Sequence, residues 1–204
     1  MNFGLYIIMT KPILPYTEIA EICVRQNIKY LQLREKDTDD RALLSIARDI
    51  KSITKASATK FIINDRADIC LLSDADGVHL GQDDISFPDI KRILPDDKVI
   101  GLSTHNFEQA TSALSLNPDY IGFGPVYKTP TKQKPDPVVG CENLKHIISI
   151  SQRPVVAIGG IDESNIHEVL AAGAKNVCMV RYFMESRDLE NRIKKINELV
   201  QLYQ

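Results

Sequence analysis

The chain has 204 residues, of which 44% are hydrophobic and 25% are charged, close to the averages of globular domains. Its 25 Lys and Arg against 27 Asp and Glu give a net charge of −2, which argues against a protein that coats nucleic acid but leaves room for a small basic pocket. No apolar run approaches the roughly 18 residues of a membrane span, and the N-terminus lacks the features of a signal peptide. We therefore expect a cytoplasmic protein with neither membrane nor nucleic-acid partners.

The cysteines are far apart in the chain and form no CxxC pair. They are Cys23, Cys70, Cys141 and Cys178. Their spacing does not indicate a zinc site, and each lies in or beside an apolar stretch. We expect reduced, unreactive thiols, which is the usual state in the cytosol.

Short β-branched runs alternate with amphipathic stretches along the whole chain. The predicted strands are Leu5–Met9, Tyr30–Arg34, Phe61–Asn64, Gly77–Leu80, Val99–Leu102, Tyr120–Phe123, Val155–Ile158 and Asn176–Val180. The predicted helices are Tyr16–Gln26, Asp40–Thr54, Asp68–Ser73, Pro88–Leu94, Phe107–Leu116, Asn143–Ile150, Glu163–Ala172 and Asp188–Tyr203. Because strands that alternate with helices form right-handed βαβ units, this pattern predicts an α/β protein with a parallel sheet.

The number of units favours one closed arrangement of that sheet. Eight units in 204 residues correspond to the compact end of the (β/α)8 TIM barrel. No linker divides the chain, so we expect a single domain over residues 1–204. An open doubly wound sheet is the alternative that the pattern leaves open. The longest irregular segment, Lys128–Gly140, has the length of a functional loop.

Basic side chains follow the second predicted strand, at the end where a parallel barrel places its active site. Gln32, Arg34 and Lys36 alternate along the chain and therefore share one face, which we take to be the barrel mouth. Two cations and an amide at one place suit an anionic ligand, because arginine binds phosphate with a bidentate fork. The alternative is a charged loop in solvent.

Carboxylates follow the third and fourth predicted strands at the same end of the sheet. Asp65 comes directly after an apolar strand, and Asp84 follows the next one. Because Mg2+ prefers a few carboxylates with water and phosphate oxygens, these two side chains are candidates to share it. The alternative for Asp84 is a cap of the next helix. His79 is either a hydrogen-bonded residue of the barrel interior or part of a substrate pocket.

The later strands end in a hydroxyl and in a pair of glycines. Ser103 is a candidate to donate a hydrogen bond to a leaving group, with a helix cap as the alternative. A Ser-His-Asp hydrolase is not indicated, since the chain has no G-x-S-x-G motif. The Gly159-Gly160 turn offers N–H groups to a phosphate, at the usual phosphate site of such barrels. The sequence thus predicts two anion sites that face each other.

Six ordered motifs, spread over nearly the whole chain, resemble those of the thiamine phosphate synthase family. They are Gln32-Leu33-Arg34-Glu35-Lys36, Asn64-Asp65-Arg66, Gly77-Val78-His79-Leu80-Gly81-Gln82-Asp83-Asp84, Gly101-Leu102-Ser103-Thr104-His105, Gly122-Phe123-Gly124-Pro125-Val126 with Thr129-Pro130-Thr131-Lys132, and Ala157-Ile158-Gly159-Gly160-Ile161. The resemblance implies a transferase that couples 4-amino-5-hydroxymethyl-2-methylpyrimidine diphosphate to a methylthiazole ethyl phosphate, with or without a 2-carboxylate. The implied products are thiamine phosphate and diphosphate.

The resemblance also implies roles for individual residues. The pyrimidine diphosphate would be held by Gln32, Leu33, Arg34, Glu35, Lys36, Asn64 and Lys132, with His79 and Ser103 in the same pocket. The thiazole phosphate would be held by Thr129, Pro130, Thr131 and Gly160, and Val180 and Arg181 at the end of the eighth strand are further candidates for substrate binding. Asp65 and Asp84 would ligate Mg2+, and the leaving charge would be stabilised by Ser103, Arg34, Lys36 and Lys132.

One position departs from the family pattern, since the family usually has a serine where Arg181 stands. Arg181 could contact the phosphate or a carboxylate directly. It could also turn outward and leave the main-chain N–H as the ligand, or it could crowd the site and mark a changed function.

Two other functions remain open for a chain of this kind. A thiazole tautomerase-like paralogue would isomerise the carboxythiazole phosphate without a diphosphate or metal site. A non-catalytic barrel that binds a phosphorylated ligand is the second alternative. Retention of Asn64, Asp65, Asp84 and Lys132 favours the synthase.

Overall fold

The strands form a closed parallel barrel in a computed structural model that describes residues 2–129 and 136–203. The strands are β1 (Gly4–Met9), β2 (Tyr30–Leu33), β3 (Lys60–Asn64), β4 (Gly77–Leu80), β5 (Val99–Thr104), β6 (Tyr120–Phe123), β7 (Val155–Ile158) and β8 (Asn176–Cys178). They pair in chain order, and β8 returns to β1. The (β/α)8 barrel predicted from the sequence is therefore confirmed, and the open doubly wound sheet is excluded.

Helices surround the barrel in the ranges that the structure describes. They are α1 (Tyr16–Arg25), α2 (Asp40–Thr54), α3 (Ala67–Ser73), α4 (Phe87–Ile93), α5 (Phe107–Ser115), α6 (Gly140–Ile150), α7 (Ile166–Ala171), α8 (Val180–Met184) and α9 (Leu189–Gln201). Side-chain caps fix several starts, because a capping oxygen satisfies an otherwise free backbone N–H. Asp39 caps α2, Ser86 caps α4 and Asn106 caps α5. Asp84 and Ser103 are therefore not helix caps.

The predicted end of the last strand is wrong. The sequence predicts a strand to Val180, but β8 ends at Cys178 and α8 begins at Val180. The run from Val177 to Phe183 is β-branched and aromatic, so its composition favours a strand. A helix of one turn has too few residues to show a helical period.

Apolar side chains form two layers. The larger one fills the space between strands and helices, as expected for strands buried on both faces. The smaller one lies in the barrel interior and is built from Phe3, Tyr6, Ile8, Tyr120, Val156 and Cys178. Asn176 closes the barrel beside it: its Oδ1 accepts from the Phe3 N–H at 2.8 Å, and its Nδ2 donates to the Val155 carbonyl at 3.2 Å.

The four thiols are free, as the sequence predicts. Burial raises the pKa of Cys23, Cys70 and Cys178, to about 11 for Cys70, so these thiols stay protonated and unreactive at neutral pH. Cys141 is half-buried. Between residues 2 and 129 and between 136 and 203, no helix is both long and apolar enough to cross a bilayer.

Candidate active site

A cavity opens at the carboxyl ends of the strands, and every strand or the loop after it contributes to its wall. Residues predicted from the sequence that line it are Gln32, Arg34, Asn64, His79, Ser103, Thr129, Gly160, Val180 and Arg181. The cavity therefore brings together residues from both of the predicted anion sites. Parallel strands bring these residues together because their carboxyl ends all lie at one rim of the barrel.

The rim after β2, β3 and β4 carries a lysine and two carboxylates. Lys36 Nζ lies 2.8 Å from Asp65 Oδ2. Asp65 has a left-handed backbone with φ of 61°, and its N–H donates to the His79 carbonyl at 2.9 Å. Asp84 Oδ2 accepts from the Gly81 N–H at 2.6 Å and its carboxyl is in hydrogen-bonding contact with that of Asp65. The structure thus brings the predicted metal ligands together.

The environment of Asp84 disfavours its charged form. Partial burial raises the pKa of Asp84, and contact with the Asp65 carboxyl raises it further, against the lowering effect of the Gly81 N–H. Two like charges held in contact are costly unless a cation lies between or beside them. Lys36 supplies part of that positive charge, and it reaches Asp65 from a half-exposed position.

A continuous hydrogen-bond chain runs from Gln32 through the barrel interior to Ser103. Gln32 Nε2 donates to Tyr6 Oη at 2.7 Å, and Tyr6 Oη lies 2.7 Å from Tyr120 Oη. Tyr120 Oη is 3.0 Å from His79 Nδ1, and His79 Nε2 is 2.8 Å from Ser103 Oγ. His79 is therefore both a hydrogen-bonded interior residue and a residue of the cavity wall.

The far wall of the cavity is made by the backbone after β7 and β8. Gly159 and Gly160 have positive φ, 98° and 66°. A Cβ on Gly160 would lie 2.7 Å from the carbonyl oxygens of both Tyr127 and Lys128, so only glycine fits this turn. The first turn of α8 follows at Val180, and the first N–H groups of a helix have no partner within the helix. This wall therefore presents main-chain donors.

The Arg181 guanidinium turns away from this wall. Its Nε lies 3.0 Å from Glu185 Oε1, one turn along α8, and its side chain is 55% exposed. Of the three readings that the sequence leaves open, this geometry matches the outward one.

A family model described as thiamine monophosphate synthase matches residues 5–183. The thiamine-phosphate synthase of Persephonella marina is 38% identical over 206 residues, which cover 98% of this chain and 97% of that protein. The thiamine-phosphate synthase of Caldicellulosiruptor saccharolyticus is 37% identical over 187 residues, 92% of this chain and 85% of that protein. The solved thiamine phosphate pyrophosphorylase of Pyrococcus furiosus superposes with a TM-score of 0.89 at 30% identity, covering 98% of this chain and 96% of that one.

The chain belongs to the thiamine monophosphate synthase family. Membership confirms the resemblance drawn from the six motifs, and with it a transferase of thiamine biosynthesis on a (β/α)8 barrel. The tautomerase-like and binding-only alternatives gain no support from these relatives.

Some residues that the thiamine monophosphate synthase motifs single out do not line the cavity. Leu33 is buried in the apolar layer between barrel and helices, because it alternates with Gln32 along β2. Glu35 accepts from the backbone N–H of Lys11 at 2.5 Å and from Tyr16 Oη at 2.8 Å. It therefore braces the loop after β1. Lys36, Asp65 and Asp84 do not line the cavity either; Lys36 and Asp65 follow the lining residues Arg34 and Asn64 closely in the chain. The other predicted residues, Pro130, Thr131 and Lys132, lie outside the described part of the chain.

Three polar side chains that line the cavity are not among the predicted site residues: Thr10, His105 and Asp136. His105 Nδ1 donates to the Gly124 carbonyl at 2.7 Å, and its Nε2 lies 3.6 Å from Asp136 Oδ2. His105 stands two residues after Ser103 and so shares its side of the strand, which is a signal that could have identified it. Asp136 lies within the segment Lys128–Gly140, whose sequence has no periodicity that would indicate which way its side chain points.

Proposed function

We propose that the chain couples 4-amino-5-hydroxymethyl-2-methylpyrimidine diphosphate to a methylthiazole ethyl phosphate, giving thiamine phosphate and diphosphate. One observation carries this proposal: the cavity is lined by Arg34 and Asn64 on one side, next to the Lys36–Asp65 ion pair and Asp84, and by the Gly159-Gly160 backbone on the other. Two different phosphorylated ligands would then meet with their reacting ends in the middle.

Side chains would hold the diphosphate. Arg34 lines the cavity, and Lys36, two residues further along the chain, pairs with Asp65 next to the lining residue Asn64. Both cations would neutralise negative charge that grows as the diphosphate leaves. Preorganised donors at the site of developing charge are usually the largest contribution to catalysis. The electron-rich aminopyrimidine would carry the positive charge left on its methylene carbon.

Asp65 and Asp84 fit a divalent cation. Their carboxyls touch, the pKa of Asp84 is raised, and a hard cation would relieve that repulsion. One or two carboxylates are enough for Mg2+, because the ion keeps several water or phosphate oxygens as ligands. Asp65 and Asp84 would hold Mg2+, and the chemistry that the ion would supply is positive charge toward the diphosphate oxygens.

Gln32 and Ser103 would orient the pyrimidine. Across the described ranges, Gln32 Oε1 has no hydrogen-bond partner although it is buried. An unsatisfied buried acceptor costs free energy, and an N–H of the amino group would satisfy it. Ser103 Oγ would donate to the departing diphosphate oxygen.

The main-chain wall would hold the thiazole phosphate. The Gly159-Gly160 turn and the start of α8 would donate N–H groups to its oxygens, so that the thiazole nitrogen faces the methylene carbon. That nitrogen attacks with its own lone pair, so no general base is required. With a carboxylated thiazole, loss of CO2 would follow the coupling.

The test is diphosphate release by purified protein supplied with both precursors. We expect release only when both precursors and Mg2+ are present, with loss of turnover on adding a chelator and recovery on restoring Mg2+. Each precursor alone is the control for simple hydrolysis. Isomerisation of a carboxythiazole phosphate without diphosphate release would support the tautomerase instead. Tight binding with no turnover in saturating Mg2+ would support the binding-only barrel.

A further inference from the structure

The hydrogen-bond chain through the barrel interior has a direction that its atoms determine. Gln32 Nε2 can only donate, so Tyr6 Oη accepts from it. The single Tyr6 hydroxyl proton is then free to be donated to Tyr120 Oη. By the same reasoning Tyr120 donates to His79 Nδ1. Each hydroxyl has one proton to give, and a buried proton without an acceptor is costly. If Tyr120 instead donated to Tyr6, the buried Tyr6 proton would lack an acceptor among the described residues, so the arrangement that satisfies every proton runs from Gln32 to His79.

The direction fixes the tautomer of His79. Its Nδ1 accepts from Tyr120, so the proton of the neutral ring lies on Nε2 and is donated to Ser103 Oγ. Ser103 has then used a lone pair on His79 and keeps its own proton. At this end of the hydrogen-bond chain, that proton is left to point into the cavity that Ser103 lines.

We propose that Tyr6, Tyr120 and His79 form a directed relay that makes Ser103 a hydrogen-bond donor toward the ligand. In the opposite direction Ser103 would give its proton to His79 and would offer the ligand only lone pairs, which repel an anionic oxygen. That the ligand atom is the departing diphosphate oxygen rests on the proposed function. The direction of the relay does not, because it follows from the protein atoms alone.

Tyr120 is a positioning residue in this account, because it touches no ligand and acts through His79. Its hydroxyl is fully buried and bonds to both Tyr6 and His79. Removing it takes the Tyr120 hydroxyl away from His79 Nδ1, so the ring proton can move to Nδ1. Ser103 would then donate to His79 Nε2 and would be lost as a donor to the ligand.

Tyr30 offers a matched control. Its ring contacts Tyr6 and Tyr120, with centroids 5.7 and 5.6 Å away, but its hydroxyl is not a link of the relay. Tyr30→Phe and Tyr120→Phe therefore remove the same group from the same aromatic cluster, and only the second interrupts the relay.

The first experiment reads the tautomer directly by long-range 1H–15N NMR of the imidazole rings, at neutral pH and without ligand. We expect the proton of His79 on Nε2 in the unmodified protein and in Tyr30→Phe, and on Nδ1 or exchanging in Tyr120→Phe. His105 is an internal reference, since its Nδ1 donates to a carbonyl and must carry a proton. Loss of the signal in His79→Gln assigns it. A His79 proton on Nδ1 in the unmodified protein would overturn the relay, whatever the protein catalyses.

The second experiment measures turnover with saturating precursors. We expect Tyr120→Phe to lower kcat by about tenfold with little change in KM, the size of one lost hydrogen bond, and Tyr30→Phe to be near the unmodified protein. In a Ser103→Ala background the Tyr120→Phe effect should vanish, because both changes remove the same donor. The proposal would be overturned if Tyr30→Phe and Tyr120→Phe lowered kcat equally. It would also be overturned if the double variant of Tyr120→Phe and Ser103→Ala lost the product of the two single-variant factors in kcat. An inactive unmodified protein would count against the proposed function and leave the NMR result standing.

Discussion

The two sides of the barrel mouth are built from different chemical groups. The rim after β2 to β4 carries charged and titratable side chains, above all Arg34, Lys36 and the Asp65–Asp84 pair. The wall after β7 and β8 uses backbone, with Gly159 and Gly160 in positive φ. Side-chain sites respond to pH, metal and charge-removing substitutions. Backbone sites respond to substitutions that change the backbone conformation. The two sides should therefore lose ligand binding under different perturbations.

The largest effect should come from removing a carboxylate of the charged rim. Asp84→Asn keeps the shape of the side chain and an acceptor for the Gly81 N–H, but it loses a charge that would help hold Mg2+. We expect kcat to fall by about 10²- to 10³-fold, the usual cost of losing one stabiliser of developing charge. The measurement is initial rate against Mg2+ concentration. Asp83→Asn is the control, since Asp83 is exposed, and equal rates in the two variants would rule out the metal pair.

The backbone wall should break when one methyl group is added. Gly160→Ala forces a Cβ against the carbonyls of Tyr127 and Lys128 and should raise the KM for the thiazole phosphate by about tenfold or more, since a displaced donor loses at least one hydrogen bond. Gly140→Ala is a matched control, because Gly140 also has positive φ (72°) but open space around its Cβ. It should lose about 1 kcal/mol of stability and retain its KM. An unchanged KM in Gly160→Ala would contradict a role for the backbone wall in binding the thiazole phosphate.

Acid should weaken the charged rim before the backbone wall. The raised pKa of Asp84 means that it takes up a proton at a higher pH than an ordinary aspartate. As pH falls through that raised pKa, Mg2+ affinity should fall. Without metal, the native state disfavours the ionised form of Asp84, so protonation relieves an unfavourable charge. As the pH falls over the same window, the free energy of unfolding of the unmodified protein should therefore rise relative to that of Asp84→Asn, which has no such group to protonate. Thermal unfolding with and without Mg2+ from pH 8 to pH 5 measures both. A Mg2+-induced stabilisation that is independent of pH would contradict this account.

The smallest effect should come from Arg181, despite its position in the cavity wall. Because its guanidinium pairs with Glu185 outside the cavity, Arg181→Ser should change kcat/KM by less than about tenfold, within 1.4 kcal/mol. Glu185→Gln tests the same idea from the partner. A larger loss of thiazole-phosphate affinity in Arg181→Ser would show that arginine binds the phosphate after all.

The side-chain half of the site could largely be predicted from the sequence. Alternation along β2 identified Gln32 and Arg34 as neighbours on the inner face, and it could equally have placed Leu33 outside, in the apolar layer. The carboxylates followed from the rule that parallel strands end at one rim. Side-chain chemistry at strand ends is thus readable from local order.

The interior relay was not readable in this way. Tyr6 and Tyr120 are 114 residues apart, and each lies in a strand whose composition indicates only burial. Their hydroxyls meet because the barrel closes, which brings opposite strands across its axis. Arg181 was undecided for a related reason: its direction depends on α8, whose single turn leaves no periodic pattern.

The seam at Asn176 has a consequence for how the protein is made. Asn176 binds Phe3 across 173 residues of chain, so the barrel cannot close until its last strand has been synthesised. On the ribosome β1 and β7 would therefore have unpaired edges, which are the surfaces most prone to intermolecular pairing. Nascent chains of this enzyme should need protection until translation is nearly complete, and slow translation near the C-terminus would prolong that exposure.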